Sequence, residues 1–340
     1  MNSLERCMAA LEGRPVDRTP VFPLLMFFAA DRLGVSYKEY ATDGSVLAEA
    51  QLLARERFGV DAITACSDAF RLAADLGGDM EYPENGTPHL RAPLVAGEAD
   101  LARLGRPDPT ETGSRVADRL RAIRELVKSA GEECLVLGWV DMPFAEACSL
   151  CGVSQFMVLL YDDPRLAHRI LAFIEGLVIE FAAAQLSAGA RMIGAGDAAA
   201  SLLSREMYRE FALPYEQRVF AGIRAKSGLG KLHICGNTTQ MLGEIATSGA
   251  DLVNVDHAVD FGRALEVYGK AGVCFKGNLD PVADMLQATA GQCETRSIER
   301  IRAARGARYM LSPGCEIPAA VTDEVFLDFC RAPLRAQERG

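Results

Sequence analysis

Eight short apolar runs recur along the chain, and each of the first seven is followed by a segment with helical spacing before the next begins. The runs are PVFPLL (20–25), DAITACSD (61–68), CLVLGWVD (134–141), RMIGAGD (191–197), KLHICGN (231–237), DLVNVDH (251–257), VCFKGN (273–278) and RYMLSPGC (308–315). They are rich in Val, Ile, Leu and Cys without clean alternation, as expected of strands buried on both faces of a parallel sheet. Val116, Leu120, Ile123 and Val127 fall on one helical face and Gly131 follows them; Leu166, Ile170, Phe173, Leu177 and Phe181 do the same on a longer helix that ends near Gly189. Thr238 or Thr239 is placed to cap a helix through Ile245, closed by Gly249.

Eight parallel βα units can close on themselves, and this predicts an α/β fold, a (β/α)8 TIM barrel. A barrel needs roughly 250 residues, so the 340 present leave a surplus. It lies in an N-terminal extension and in an insertion after the second strand, about residues 69–115, rich in Gly, Pro and charge and read as a hairpin or lid. The expectation is one domain over 1–340. An open doubly wound sheet competes, but no glycine-rich dinucleotide turn follows the first run.

The net charge of −10 argues against nucleic acid or an anionic membrane surface as partner, because both reward clustered Lys and Arg. The longest apolar stretch, Leu171 to Leu186, is interrupted by Glu175 and Glu180, and the N-terminus lacks the pattern of a secretion signal. These features predict a cytoplasmic protein whose 10 cysteines are reduced thiols or metal ligands rather than disulfides.

Ionisable side chains collect where the runs end: Asp68, Asp141, Asp197, His233 with Cys235, Asp256 with His257, Asn278 with Asp280, and Cys315 with Glu316. In a barrel that end carries the active site. Within His233-Ile234-Cys235, strand alternation puts both ligating side chains on one face. Alone, that pair reads as a buried histidine and a buried thiol; with Cys315 at another strand end it reads as a zinc site. Two thiolates and an imidazole leave the fourth position open for substrate.

Other residues carry paired readings. Asp197 either orients a zinc ligand or handles a proton, or caps the next helix. Glu146 and Glu316 either fill the fourth zinc position or are surface or capping carboxylates. His257 either assists catalysis or is hydrogen-bonded structurally beside Asp256. Asp256 and Asn278 are candidate substrate contacts, with Asn278 equally suited to fixing a loop. Cys148 and Cys151 have C-x2-C spacing without a second pair, which suits two buried thiols on a helix.

The segments HICGNT (233–238), GNLDP (277–281), SPGCEIP (312–318) and GDAAASLLSREMYREFALPYEQ (196–217) resemble the uroporphyrinogen decarboxylase superfamily. The H-x-C pair with a distant Cys is similar to its zinc-containing branch of corrinoid-dependent methyltransferases, such as the methylcobamide:coenzyme M enzymes. That resemblance covers about residues 5–330. It implies zinc on His233, Cys235 and Cys315, a small methyl acceptor such as a thiol, and a separate corrinoid-binding protein that carries the methyl group as methylcobalamin.

Three alternatives follow from the same residues: transfer in the reverse direction from a methoxylated or methylamine donor, a non-catalytic corrinoid- or tetrapyrrole-binding module, and porphyrinogen decarboxylation. The last is disfavoured because the arginine-rich motif of decarboxylases after the first strand is replaced by PLLMFFAADRLG, with the single Arg32.

Overall fold

The computed structural model describes residues 1–109 and 111–338. Seven strands form one curled sheet: β1 Ala62–Thr64, β2 Leu135–Asp141, β3 Met192–Gly196, β4 Leu229–His233, β5 Leu252–Asn254, β6 Cys274–Leu279 and β7 Tyr309–Pro313. They lie side by side in chain order and every pair is parallel. The seven match the second to eighth apolar runs.

The first run differs from expectation. Residues 20–25 form isolated bridges, Val21 with Leu311 and Leu24 with Glu316, rather than a strand. Pro20 and Pro23 have no N–H, so the segment cannot sustain a ladder. It still completes the ring: the Asp61 amide donates to the Val21 carbonyl (2.8 Å) on one side, and the Phe22 amide to the Leu311 carbonyl (2.9 Å) on the other. The result is a TIM-barrel-like fold whose first stave is held by a few bonds to β1 and β7.

The N-terminal extension is mostly helical. Helix Ser3–Glu12 starts in a capping box, with Asn2 and Glu5 exchanging side-chain and backbone bonds. Its Cys7, Ala10 and Leu11 pack with Leu135, Leu137, Met192, Leu252, Cys274 and Met310, which point into the barrel from their strands. The helix therefore plugs the bottom of the barrel, and each fully buried Leu or Met there contributes roughly 1.5–3 kcal/mol.

Helix Arg115–Ala130 buries Val116, Leu120 and Ile123, with the Ser114 side chain accepting from the Ala117 amide as its cap. Helix Pro164–Ser187 is long and apolar enough by composition to cross a membrane. It buries Leu166, Ile170, Leu177 and Phe181 against the barrel, and Glu175 and Glu180 on its other side pair with Arg218 and Arg106. The helix expected after Asn237 is shorter than its pattern suggests. A 3-10 turn, Thr239–Met241, leads into a single α turn, Leu242–Ile245. Neither threonine caps it; the Asn237 side chain accepts from the Thr239 amide instead (3.1 Å).

Residues 69–115 contain helix Arg71–Asp75, a two-stranded antiparallel ribbon pairing Met80–Glu81 with His89–Leu90, and a single turn, Glu98–Leu101. The ribbon's second strand and the residues after it reach the C-terminal mouth of the barrel, where Leu90, Arg91 and Pro93 line a cavity.

Candidate metal centre and its cavity

β4 turns inward at Lys231 and His233, and Cys235 follows two residues on. The loop after β7 brings Cys315 to the same point. The Cys235 Sγ lies 3.1 Å from His233 Nε2 and 3.7 Å from Cys315 Sγ, and Cys315 Sγ lies 3.7 Å from His233 Nε2. Among the described residues these three form the one group of His, Cys, Asp or Glu whose donor atoms all lie within 4.8 Å of one another. Hydrogen bonds from Cys235 and then His233 draw the Cys315 thiol well below its usual range, while the same sharing, with burial, pushes Cys235 up. Burial lowers His233, which favours the neutral imidazole, the form able to bind a metal.

The three residues open onto a cavity of about 730 Å³ at the C-terminal mouth. Its wall is largely apolar, with Leu24, Met26, Phe70, Trp139 and Leu202 among the lining side chains, and Asp68, Asp141 and Glu316 supply carboxyls. Glu316 caps the helix Phe27–Leu33 by accepting from the Phe27 amide, and burial pushes its carboxyl up to about 8. It makes a capping contact and lies in the cavity lining beside Cys315.

A buried ion network stands behind Asp68 and Asp141. Arg71, 1% exposed, donates to Asp141, and Arg115 donates to Asp68 at 2.6 Å. Burial pushes Asp141 up to about 6 against the pull of Arg71. Asp68 is held down at about 2 by Arg115 and Arg71 in spite of burial. Asp68 and Asp141 were visible as strand ends, but Arg71 and Arg115 lie within and at the end of the insertion, where no periodicity assigns a partner.

The remaining candidates are placed as follows. Glu146 is fully buried within helix Pro143–Cys151, neither surface nor cap, and does not line the cavity. Burial and Asp141 push its carboxyl well up. Asp197 makes no side-chain cap to the following 3-10 turn; its Oδ1 accepts from the Ala145 amide (2.9 Å) and its own amide donates to the His233 carbonyl (2.8 Å). Burial, with Glu216 beside it, pushes Asp197 well above the usual carboxyl range.

His257 is exposed, with Nδ1 3.1 Å from Asp256 Oδ1, and lies outside the cavity. Asp256 is buried and also accepts from the Ala258 amide. Asn278 donates to the carbonyls of Asp256 (3.2 Å) and Val259 (2.7 Å) and is fully buried, which is the loop-fixing arrangement. Cys148 and its helical neighbour Cys151 are both buried, and Cys148 lines the cavity. Arg32 is bound to Asp31, Asp323 and the Val321 carbonyl, with its guanidinium 4.2 Å from the Phe28 ring centre, away from the cavity.

A residue that sequence reasoning missed is Asn254. It is paired with His233 in the β4–β5 register, and its side chain donates to the Gly314 carbonyl at 2.7 Å, beside Cys315.

Comparison with known proteins agrees with this architecture. The chain is similar to a methyltransferase from Methanosarcina mazei, with a TM-score of 0.88 at 22% identity over 100% of this chain and 99% of the other. It is also similar to a B12-independent methionine synthase from Shewanella sp. W3-18-1, with a TM-score of 0.60 at 12% identity over 87% and 88%. At such identities the likeness is one of fold. In sequence it is 30% identical over 294 residues to a uroporphyrinogen decarboxylase of Xanthomonas campestris pv. campestris (strain B100), covering 82% of this chain and 81% of the relative. It is 31% identical over 303 residues to one of Nocardia farcinica (strain IFM 10152), covering 86% and 83%. With the pattern of uroporphyrinogen decarboxylase (URO-D) matching residues 2–332, the chain belongs to the URO-D family.

Proposed function

We propose that the protein is a zinc-dependent methyltransferase that moves a methyl group between a corrinoid carried by a separate protein and a small thiol. The observation that carries this reading is the meeting of His233 Nε2, Cys235 Sγ and Cys315 Sγ at the wall of the cavity. A tetrahedral zinc with Zn–S of about 2.3 Å and Zn–N of about 2.0 Å separates its ligands by about 3.8 Å (S to S) and about 3.5 Å (N to S). The 3.7 Å between sulfurs and the 3.7 Å from His233 nitrogen to Cys315 sulfur suit that ion, and the 3.1 Å from the nitrogen to Cys235 sulfur is shorter than its ideal. Bound there, zinc supplies Lewis acidity that lets an incoming thiol react as its thiolate at neutral pH.

The chain's own residues supply the setting. His233 and the two cysteines fix one end of the substrate, while the apolar wall around Trp139 and Phe70 excludes water from the reacting sulfur. As the new carbon–sulfur bond forms, the carbon–cobalt bond of the methyl donor breaks and its electron pair leaves with cobalt. The thiol proton leaves to solvent.

A decarboxylase acting on a polycarboxylate is poorly served by this cavity. Among its described lining residues Arg91 is the one Lys or Arg, and Arg32 is committed elsewhere. Transfer from a methoxylated aromatic to the corrinoid is a second reading, supported by a cavity of about 730 Å³ faced by Trp139 and Phe70, more room than a two-carbon thiol fills.

The test is the demethylation of methylcobalamin, followed by its colour change, with a panel of thiols that includes coenzyme M and homocysteine. At least one thiol should react faster than without protein, and His233→Ala should abolish the gain. Turnover of methoxylated aromatics with reduced corrinoid, and of no thiol, would reverse the direction; no reaction with either would sink the enzyme reading.

A further inference from the structure

Three neighbouring strands place Asp141, Gly196 and His233 at one level: Asp141 pairs with Gly196 in β2–β3, and Gly196 with His233 in β3–β4. Two residues earlier, Trp139, Gly194 and Lys231 form the level below. There the Lys231 ammonium lies 4.5 Å from the Trp139 ring centre, so side chains of this parity face the barrel interior and meet across β3.

The glycines of β3 make that meeting possible. A Cβ on Gly194 would fall 2.4 Å from the Trp139 ring, and one on Gly196 would fall 2.8 Å from Asp141 Oδ1. The Asp141 carboxylate therefore lies over Gly196, on the side of β4 and His233. Adjacent strands are about 4.8 Å apart, which sets the Asp141 and His233 backbones about 10 Å apart. Their side chains face one cavity across the bare strand between them.

Resting on the methyl-transfer reading, we infer that Asp141 selects the substrate by receiving an ammonium group carried a few bonds from the reacting sulfur, so that the acceptor is an aminothiol rather than an anionic thiol. The guanidinium groups nearby are already engaged. Arg71 is bound to Asp141 and Arg115 to Asp68. Arg91 stands on the ribbon, 3.3 Å from Glu81 and 3.7 Å from Asp79, and Lys231 lies one layer below, outside the lining. A sulfonate or carboxylate held at the metal centre would face Asp141 with no guanidinium free to receive it, whereas an ammonium would find a positioned acceptor.

The experiment is calorimetric titration of the zinc-loaded protein with three two-carbon thiols that differ in one terminal group: 2-aminoethanethiol, 2-mercaptoethanol and 2-mercaptoethanesulfonate. The amine should bind tightest and the sulfonate weakest, with about tenfold between them. Asp141→Asn should narrow that spread to less than about threefold while zinc content stays at one per chain. Because this change strips Arg71 of its partner, the double variant Asp141→Asn/Arg71→Gln is titrated alongside and should show the same narrowing. Tightest binding of the sulfonate, or an equal weakening of all three thiols in both variants, overturns the inference alone. Binding of none of the three removes it together with the methyl-transfer reading.

Discussion

The side-chain amide of Asn254 donates to the Gly314 carbonyl at 2.7 Å, tying β5 to the turn that presents Cys315. Because Asn254 is also the register partner of His233, one residue ties together two candidate ligands that are 82 positions apart in sequence. Groups that orient ligands in this way typically govern metal affinity by about 10–100-fold.

Asn254→Ala should therefore weaken zinc binding by about tenfold. It should also cost roughly 1–3 kcal/mol in stability, since the buried Gly314 carbonyl loses its donor. Competition against a chromophoric chelator measures the first, and denaturant unfolding of the metal-free protein the second. An unaltered affinity would show that the Cys315 turn holds its position without β5.

Zinc itself should be present at close to one per chain in protein purified without added metal. Cys235→Ser should lose most of it, because a hydroxyl is a far poorer zinc ligand than a thiolate. Elemental analysis decides this. Full zinc content in Cys235→Ser would move the metal away from the three residues named here.

The acid pair behind β3 predicts a pH dependence. Glu216 accepts from the Tyr208 hydroxyl at 2.5 Å, and burial pushes its carboxyl from 4.5 up to about 7. A raised carboxyl binds its proton more tightly folded than unfolded, so stability falls as pH rises from about 4.5 to about 7 and stays lower above. Glu216→Gln keeps an acceptor for Tyr208 and cannot ionise. Its melting temperature relative to the natural protein should rise between pH 5 and pH 8; an equal difference at both values would refute the assignment.

Much of this was legible in the sequence where periodicity and spacing carry the information. Seven buried runs gave seven strands because parallel strands covered on both faces must be apolar throughout. His233 and Cys235 were legible because alternation puts residues two apart on one face. The first run misled because prolines 20 and 23 remove donors without changing hydrophobicity. Glu146 reads in the sequence either as a fourth metal ligand or as a surface or capping carboxylate, since the local pattern does not record that Arg71 and Asp141 pack nearby. Asn254 was hidden in DLVNVDH as an ordinary polar residue in a strand, because its partner is a backbone carbonyl 60 residues away. Contacts of that kind depend on how the barrel closes.

The last prediction concerns the bare strand β3. Trp139 leans over Gly194 until its ring faces the Lys231 ammonium, and Trp139 is the sole tryptophan in the chain. A methyl group on residue 194 would meet the rigid ring at 2.4 Å, closer than atoms can approach. The ring would have to move, because the neighbouring backbone is locked in the ladder. Gly194→Ala should accordingly cost about 1–3 kcal/mol through overpacking, and its effect can be read directly. Displacing the indole from the buried ammonium changes the environment of the only tryptophan, so the emission maximum should shift while far-ultraviolet circular dichroism stays native. Gly243→Ala serves as the control, since a Cβ there meets nothing within 4 Å. If Gly194→Ala leaves both the emission maximum and the stability as they were, the ring does not lie over β3, and Asp141 loses the argument that aims it at His233.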